Sequence, residues 1–198
     1  MSRPSAIAST CEAIVRLLRA SYDPRDFGDE SLDFQVYVAE DFANPMERGV
    51  SLFLYRVVRD GVPRQPPGRV LRDGRVERTR LPVDLYFLLT AWAKRASLQH
   101  EIAGWMMRVL EDSPLLTAPL LNGYRADVFG SDETVEIVQA EMTVEDMFRI
   151  WETLVSHTYQ LSVPYVARTV YLDSVAPLAR GAPVQERVFP MHDVVEAS

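Results

Sequence analysis

Hydrophobic positions near the start of the chain recur at helical spacing: Ile7, Cys11, Ile14 and Leu18 follow at steps of four, three and four, with Glu12, Arg16 and Arg19 on other faces. This spacing predicts a helix over residues 5–20. Pro24 and Gly28 then punctuate a loop over residues 22–31. Leu32, Phe34, Val36 and Val38 alternate with other residues as a half-buried strand does, and residues 50–58 read as a second strand, apolar on both faces. In residues 81–91 the alternation is clearest. Leu81, Val83, Leu85, Phe87 and Leu89 share one face, and Pro82, Asp84, Tyr86, Leu88 and Thr90 share the other. Pro82 is acceptable near a strand start, where no ladder donor is required.

The helical period returns over residues 97–111, with Leu98, Ile102, Trp105, Met106, Val109 and Leu110 as its stripe. Pro114, Pro119 and Gly123 break the next segment, and residues 134–140 read as a strand. A third helix is expected over residues 143–155, striped by Met147, Ile150, Trp151, Leu154 and Val155. Thr143, Glu145 and Asp146 open it with a hydroxyl for an orphan amide and acids at the positive end of the helix dipole. A last strand is expected over residues 161–173, irregular at Pro164. The order α-β-β-β-α-β-α-β predicts a single α+β domain over residues 1–173, with a mixed or antiparallel sheet of about five strands and about three helices. Residues 174–198, interrupted by Pro177, Gly181, Pro183 and Pro190, read as an extended tail.

Residues 59–80 carry no period and contain Pro63, Pro66, Pro67 and an Asp73–Gly74 turn. Aperiodic stretches this long in a compact domain tend to be functional or disordered. Charge singles out the same stretch. The 198-residue chain carries −7, yet residues 56–80 hold eight arginines against three acids, a local +5. The loop arginines, Arg59, Arg64, Arg69, Arg72, Arg75, Arg78 and Arg80, are therefore candidate contact residues. The loop has no aromatic residue to stack bases and the rest of the chain is acidic, which disfavours nucleic acid. An acidic partner, including a second copy of this chain, fits better.

Other chemistry is sparse. There is no phosphate-cradling glycine motif, nucleophile elbow or zincin helix. His100, His157 and His192 lack ligand spacing, so no metal or cofactor is expected. Cys11 lies on the first helix's apolar stripe and reads as core, and it excludes an internal disulfide framework by being the single cysteine. Asp84 would need a second titratable group beside it to act in catalysis. No apolar run is long enough for a membrane span. The first 18 residues meet Glu12 and Arg16 before an export core could form, so synthesis and assembly in the cytoplasm are expected. Tyr55, Tyr86, Tyr165 and Tyr171 are placed on the sheet's second face, suited to covering helices or to a partner.

Five strings then stand out in order: SLFLYRVV (residues 51–58), the Arg72-Asp73-Gly74 turn, RLPVDLYFLLTAWA (80–93), TVEDMFRIWETL (143–154) and YQLSVPYVARTVYLD (159–173). Their sequence resembles the cap, or tail-terminator, family of extracellular contractile injection systems, the phage-tail-like particles. Ile150-Trp151 and Pro164 depart from the family's pattern at otherwise matched positions. The resemblance implies a tail-terminator-like fold and a structural, non-enzymatic role. That role is a ring of six copies at the end away from the baseplate, which ends the inner tube and joins its last ring to the last sheath ring. The implied partners are the chain itself, the inner-tube protein and the sheath protein, with no membrane. The alternative is a nucleic-acid-binding or regulatory module using residues 59–80, and a small enzyme with an unrecognised site comes third.

Overall fold

The computed structural model describes residues 5–60, 69–70, 76–77, 80–154 and 159–174. Helix α1 (Ala6–Ser21) buries the expected stripe of Cys11, Ile14 and Leu18, and Thr10 turns its hydroxyl back onto the Ala6 carbonyl at 2.9 Å. A 3-10 turn, Pro24–Phe27, occupies the first loop, opened by the Asp23 carboxylate accepting the Arg25 N–H and closed by Gly28 at φ +65°. Strand β1 (Asp33–Tyr37) leads into a second 3-10 turn, Ala39–Ala43, and then β2 (Gly49–Arg59). Val38, expected on the strand's buried face, lies past its end and is 60% exposed. Two short strands, β3 (Arg69–Val70) and β4 (Val76–Glu77), precede β5 (Leu81–Trp92). Helix α2 (Ala96–Asp112), strand β6 (Leu115–Thr117), the one-turn helix α3 (Ala118–Leu121), strand β7 (Thr134–Gln139), helix α4 (Val144–Leu154) and strand β8 (Ser162–Leu172) complete the order. As expected, the Thr143 hydroxyl accepts the Asp146 N–H, at 3.1 Å, at the start of α4.

The main sheet has six strands in the order β1-β2-β5-β8-β7-β6, with β1 parallel to β2 and the other neighbours antiparallel. The sixth strand is β6, three residues wedged between prolines and too short to show a period. β3 and β4 form a separate two-stranded ribbon within residues 59–80, where the sequence predicts no strand. Both strand prolines sit where a ladder donor is not needed. The Pro82 carbonyl accepts from Asp60 just beyond β2, and the Pro164 carbonyl accepts from Ala140 just beyond β7, so each ring nitrogen faces the end of a neighbour. Pairing therefore runs through Pro164, and the irregularity of β8 lies instead between Ala167 and Val170.

Two layers cover the sheet unequally. The first face packs against α1 and α2 around Ile14, Leu18, Leu52, Phe87, Ile102 and Met106, all essentially inaccessible to water. Burial of such side chains is the main drive to fold, about 1.5–3 kcal/mol each. The second face carries a smaller aromatic core: Tyr37, Phe42, Trp92 and Trp151 meet edge-on or tilted at 5.5–6.1 Å beneath the Ala39–Ala43 turn and α4. Trp92 anchors it by donating its indole N–H to the buried Ser51 hydroxyl at 2.8 Å.

Candidate assembly surfaces

Among the described residues, the second face is covered toward the start of β2 and the end of β5; further along these strands it holds Tyr55, which packs against the edge of the aromatic core, and Tyr86. A bulge in β2 between Leu54 and Arg56 sets Tyr55 and Arg56 against Tyr86. The two tyrosine rings lie 6.4 Å apart, and the Arg56 guanidinium sits 5.4 Å from the Tyr86 ring centre, within cation–π range. Tyr55 and Tyr86 are half-buried and Arg56 exposed, with burial raising the Tyr55 hydroxyl above its usual range. Arg59, last residue of β2, is exposed.

Arg80 is held differently. Its guanidinium pairs with Glu133 and, at 2.8 Å, with Asp173, and lies 5.7 Å from the centre of the Tyr171 ring. Burial lowers the Arg80 pKa, but the hydrogen bonds and charges of Glu133 and Asp173 more than reverse this and leave it above its ordinary value. The cation thus ties the start of β5 to the turn before β7 and to the end of β8. Tyr171 is 42% exposed.

Tyr165 departs from expectation. It lies on the first face, 5% exposed, with its ring stacked on Phe87 at 6.0 Å, and burial pushes its hydroxyl up to about 12. Tyr165 and Tyr171 are six residues apart, which regular alternation would place on one side. The bulge between Ala167 and Val170 inserts an extra residue and sends them to opposite faces. Of the remaining candidates, Arg64, Arg72, Arg75 and Arg78 lie outside the described residues, and Arg69 is placed by its backbone in β3.

The structure adds a surface that the sequence reading does not single out. Val144, Phe148 and Tyr159 are 69%, 47% and 44% exposed, beside an open groove of about 570 Å³ between α4 and the adjoining ends of β7 and β8. The Phe148 ring meets Tyr159 edge-on at 5.3 Å. Val144 and Phe148 are four apart on α4, next to its buried stripe, which was a usable signal. Elsewhere, Cys11 is buried with its thiol pushed up to about 12, and Asp84 is occupied in holding the β8 backbone. Among the described residues no cluster of histidine, cysteine or carboxylates is placed to hold a metal, and no helix is long and apolar enough to cross a membrane. His157 and His192 lie outside the described residues.

Comparison with known proteins follows the same lines. A family model described as the Pvc16 N-terminal domain matches residues 9–186. The fold is similar to a solved extracellular contractile injection system structure described as the PVC sheath/tube terminator in extended state, with TM-score 0.57, 16% identity and 97% of this chain covered. It is also similar to the anti-feeding prophage cap, described as the AFP tube terminating cap, with TM-score 0.58, 15% identity and 90% of this chain covered. The alignments cover 65% and 59% of those chains, so this chain spans less than two thirds of either. At such identity the likeness is one of fold, a tail-terminator-like α+β domain. No curated protein matches the sequence.

Proposed function

The chain belongs to the family of Pvc16 N-terminal domains, and on that premise we propose that it is a structural cap of a contractile injection system. In this reading copies of the chain form a ring, of six subunits, that ends the inner tube and links it to the last sheath ring. Its partners are other copies, the tube protein and the sheath protein. It is made in the cytoplasm, becomes part of a phage-tail-like particle and catalyses no reaction. Residues 1–173 supply the body, and residues 174–198 act as an arm that reaches a neighbour, for which adding a strand to an open sheet edge is the simplest chemistry.

The observation that carries the reading is the division of the sheet's second face. A ring built from head-to-tail contacts needs two different surfaces per subunit. Tyr55, Arg56, Tyr86 and Tyr171 offer one along β2, β5 and the end of β8, and the groove beside Phe148, lined from α4 and the adjoining ends of β7 and β8, offers another. Aromatic and arginine side chains are the types enriched at interfaces.

The test is electron microscopy of particles from cells lacking the gene. Tubes and sheaths of irregular length, restored to a uniform length by the intact gene, are expected. Unchanged length distributions without the protein would overturn the reading. Removing residues 174–198 should weaken the ring or its hold on the sheath.

A further inference from the structure

We propose that the groove between α4 and the ends of β7 and β8 receives the arginine-bearing β3–β4 ribbon of a second copy of this chain. The inference rests on the assembly reading above and assigns the two surfaces that make the contact. The groove is apolar within, through Met142, Val144, Met147, Phe148 and Pro164. Glu141 is the charged residue of its lining, and the segment that builds it, residues 139–154, adds Glu145, Asp146 and Glu152 against Arg149 alone. Such a site takes a segment whose apolar residues alternate with cations.

Residues 69–78 have that composition: four arginines against two acids, interleaved with Val70, Leu71 and Val76. Their backbone forms an antiparallel ribbon in which Val70 pairs with Val76. Among the described residues this ribbon pairs with no third strand. A two-stranded ribbon alone is marginally stable in water and gains most from docking.

Geometry directs the contact between copies. The ribbon connects the end of β2 to the start of β5 at Leu81, whereas the groove adjoins Pro164, which pairs with Leu88. Seven residues of β5 separate the two levels, about 23 Å at 3.3 Å per residue. Ribbon and groove thus lie toward opposite ends of the strands. Their union is head-to-tail, the form of contact that closes into a ring when the rotation allows.

Site-directed disulfide trapping tests the pairing. In a Cys11→Ser background, chains bearing Phe148→Cys are mixed under mild oxidation with chains bearing Arg75→Cys. A disulfide-linked dimer that forms in the mixture, and only weakly in either pool alone, is expected. Reversing the rim with Glu141→Arg and Glu145→Arg should reduce its yield roughly tenfold or more, and adding Arg72→Glu on the other chain should recover part of it. Glu141, Glu145 and Phe148 are exposed, and circular dichroism checks that each variant, including the buried Cys11→Ser background, is folded. Equal yield in mixed and separate pools, no dimer from folded chains, or trapping of Phe148→Cys by the chain's own C-terminal segment or by tube protein instead would overturn the pairing. Particles of irregular length in the deletion strain would then leave the cap reading standing.

Discussion

The Asp84 carboxylate on β5 accepts the backbone N–H of Thr169 on β8 at 2.9 Å, and Thr169 sits at φ +57°, a conformation costly for a β-branched residue. The same residue lies within the bulge that separates Tyr165 from Tyr171. An acid in the middle of a strand, which in the sequence looks like a candidate for catalysis, therefore serves as a clamp on a strained backbone. Asp84→Ala should cost about 1–3 kcal/mol in urea denaturation, because the Thr169 amide loses its partner. Asp84→Asn should cost less, since its side-chain oxygen still accepts. Equal losses for the two variants would count against the clamp.

Gly49 pairs with Asp33 where β1 and β2 approach too closely for a side chain. It has φ +140°, and a β-carbon there would lie 2.0 Å from the Asp33 carbonyl oxygen. The backbone itself is the obstacle, so no side-chain rearrangement relieves it. Gly49→Ala should destabilise the domain by about 3 kcal/mol or more, read as a lowered thermal midpoint. A variant as stable as the parent would show that β1 shifts freely.

Two arginines that look alike in sequence should behave differently. Arg80 is pinned by Glu133, Asp173 and the Tyr171 ring, while Arg59 is exposed at the end of β2. Arg80→Ala should lose about 1–3 kcal/mol of stability through its broken charged hydrogen bonds. Arg59→Ala should stay within about 0.5 kcal/mol. Its effect, if the surface serves assembly, belongs in particle length and not in melting.

Burial of Cys11 and Tyr165 makes the fold sensitive to alkali. Burial raises the thiol from 9.0 to about 12, with the charge of Glu12 adding to it, and raises the Tyr165 hydroxyl from 10.0 to about 12. Both groups stay protonated in the native state at pH values where the unfolded chain has lost its protons. Their contribution is complete below about pH 9 and falls as pH rises toward about 12, by at most about 1.4 kcal/mol per unit for each group. Urea midpoints should therefore decline above about pH 9, and Cys11→Ala should flatten the first part of the decline. Thiol reagents should reach Cys11 only after unfolding; rapid labelling of the native chain would contradict its placement.

Much of the architecture was legible because burial on one side of an element leaves a period in the chain. The stripe of α1, the two-sided alternation of β5 and the Thr143 cap of α4 all fall where the residues indicate. β6 was not, because three residues cannot display a period. For the surfaces, the tyrosine pair at residues 55 and 86 could be placed by alternation, whereas Tyr165 could not. A bulge depends on which residues of the partner strand oppose it, and the partner of β8 here is β5, about 80 residues earlier in the chain.

By itself, then, the sequence determined the α+β class, the order and approximate limits of the long elements, the buried place of Cys11 and the family resemblance, all of them written in local spacing and residue type. Tertiary structure alone decided the six-strand order with its single parallel pair, the two bulges, the employment of Asp84 and Arg80 as internal ties, and the groove beside Phe148. Each of these arises where segments distant in sequence meet, and the free energy of such a meeting depends on register and packing between them, which no local pattern encodes.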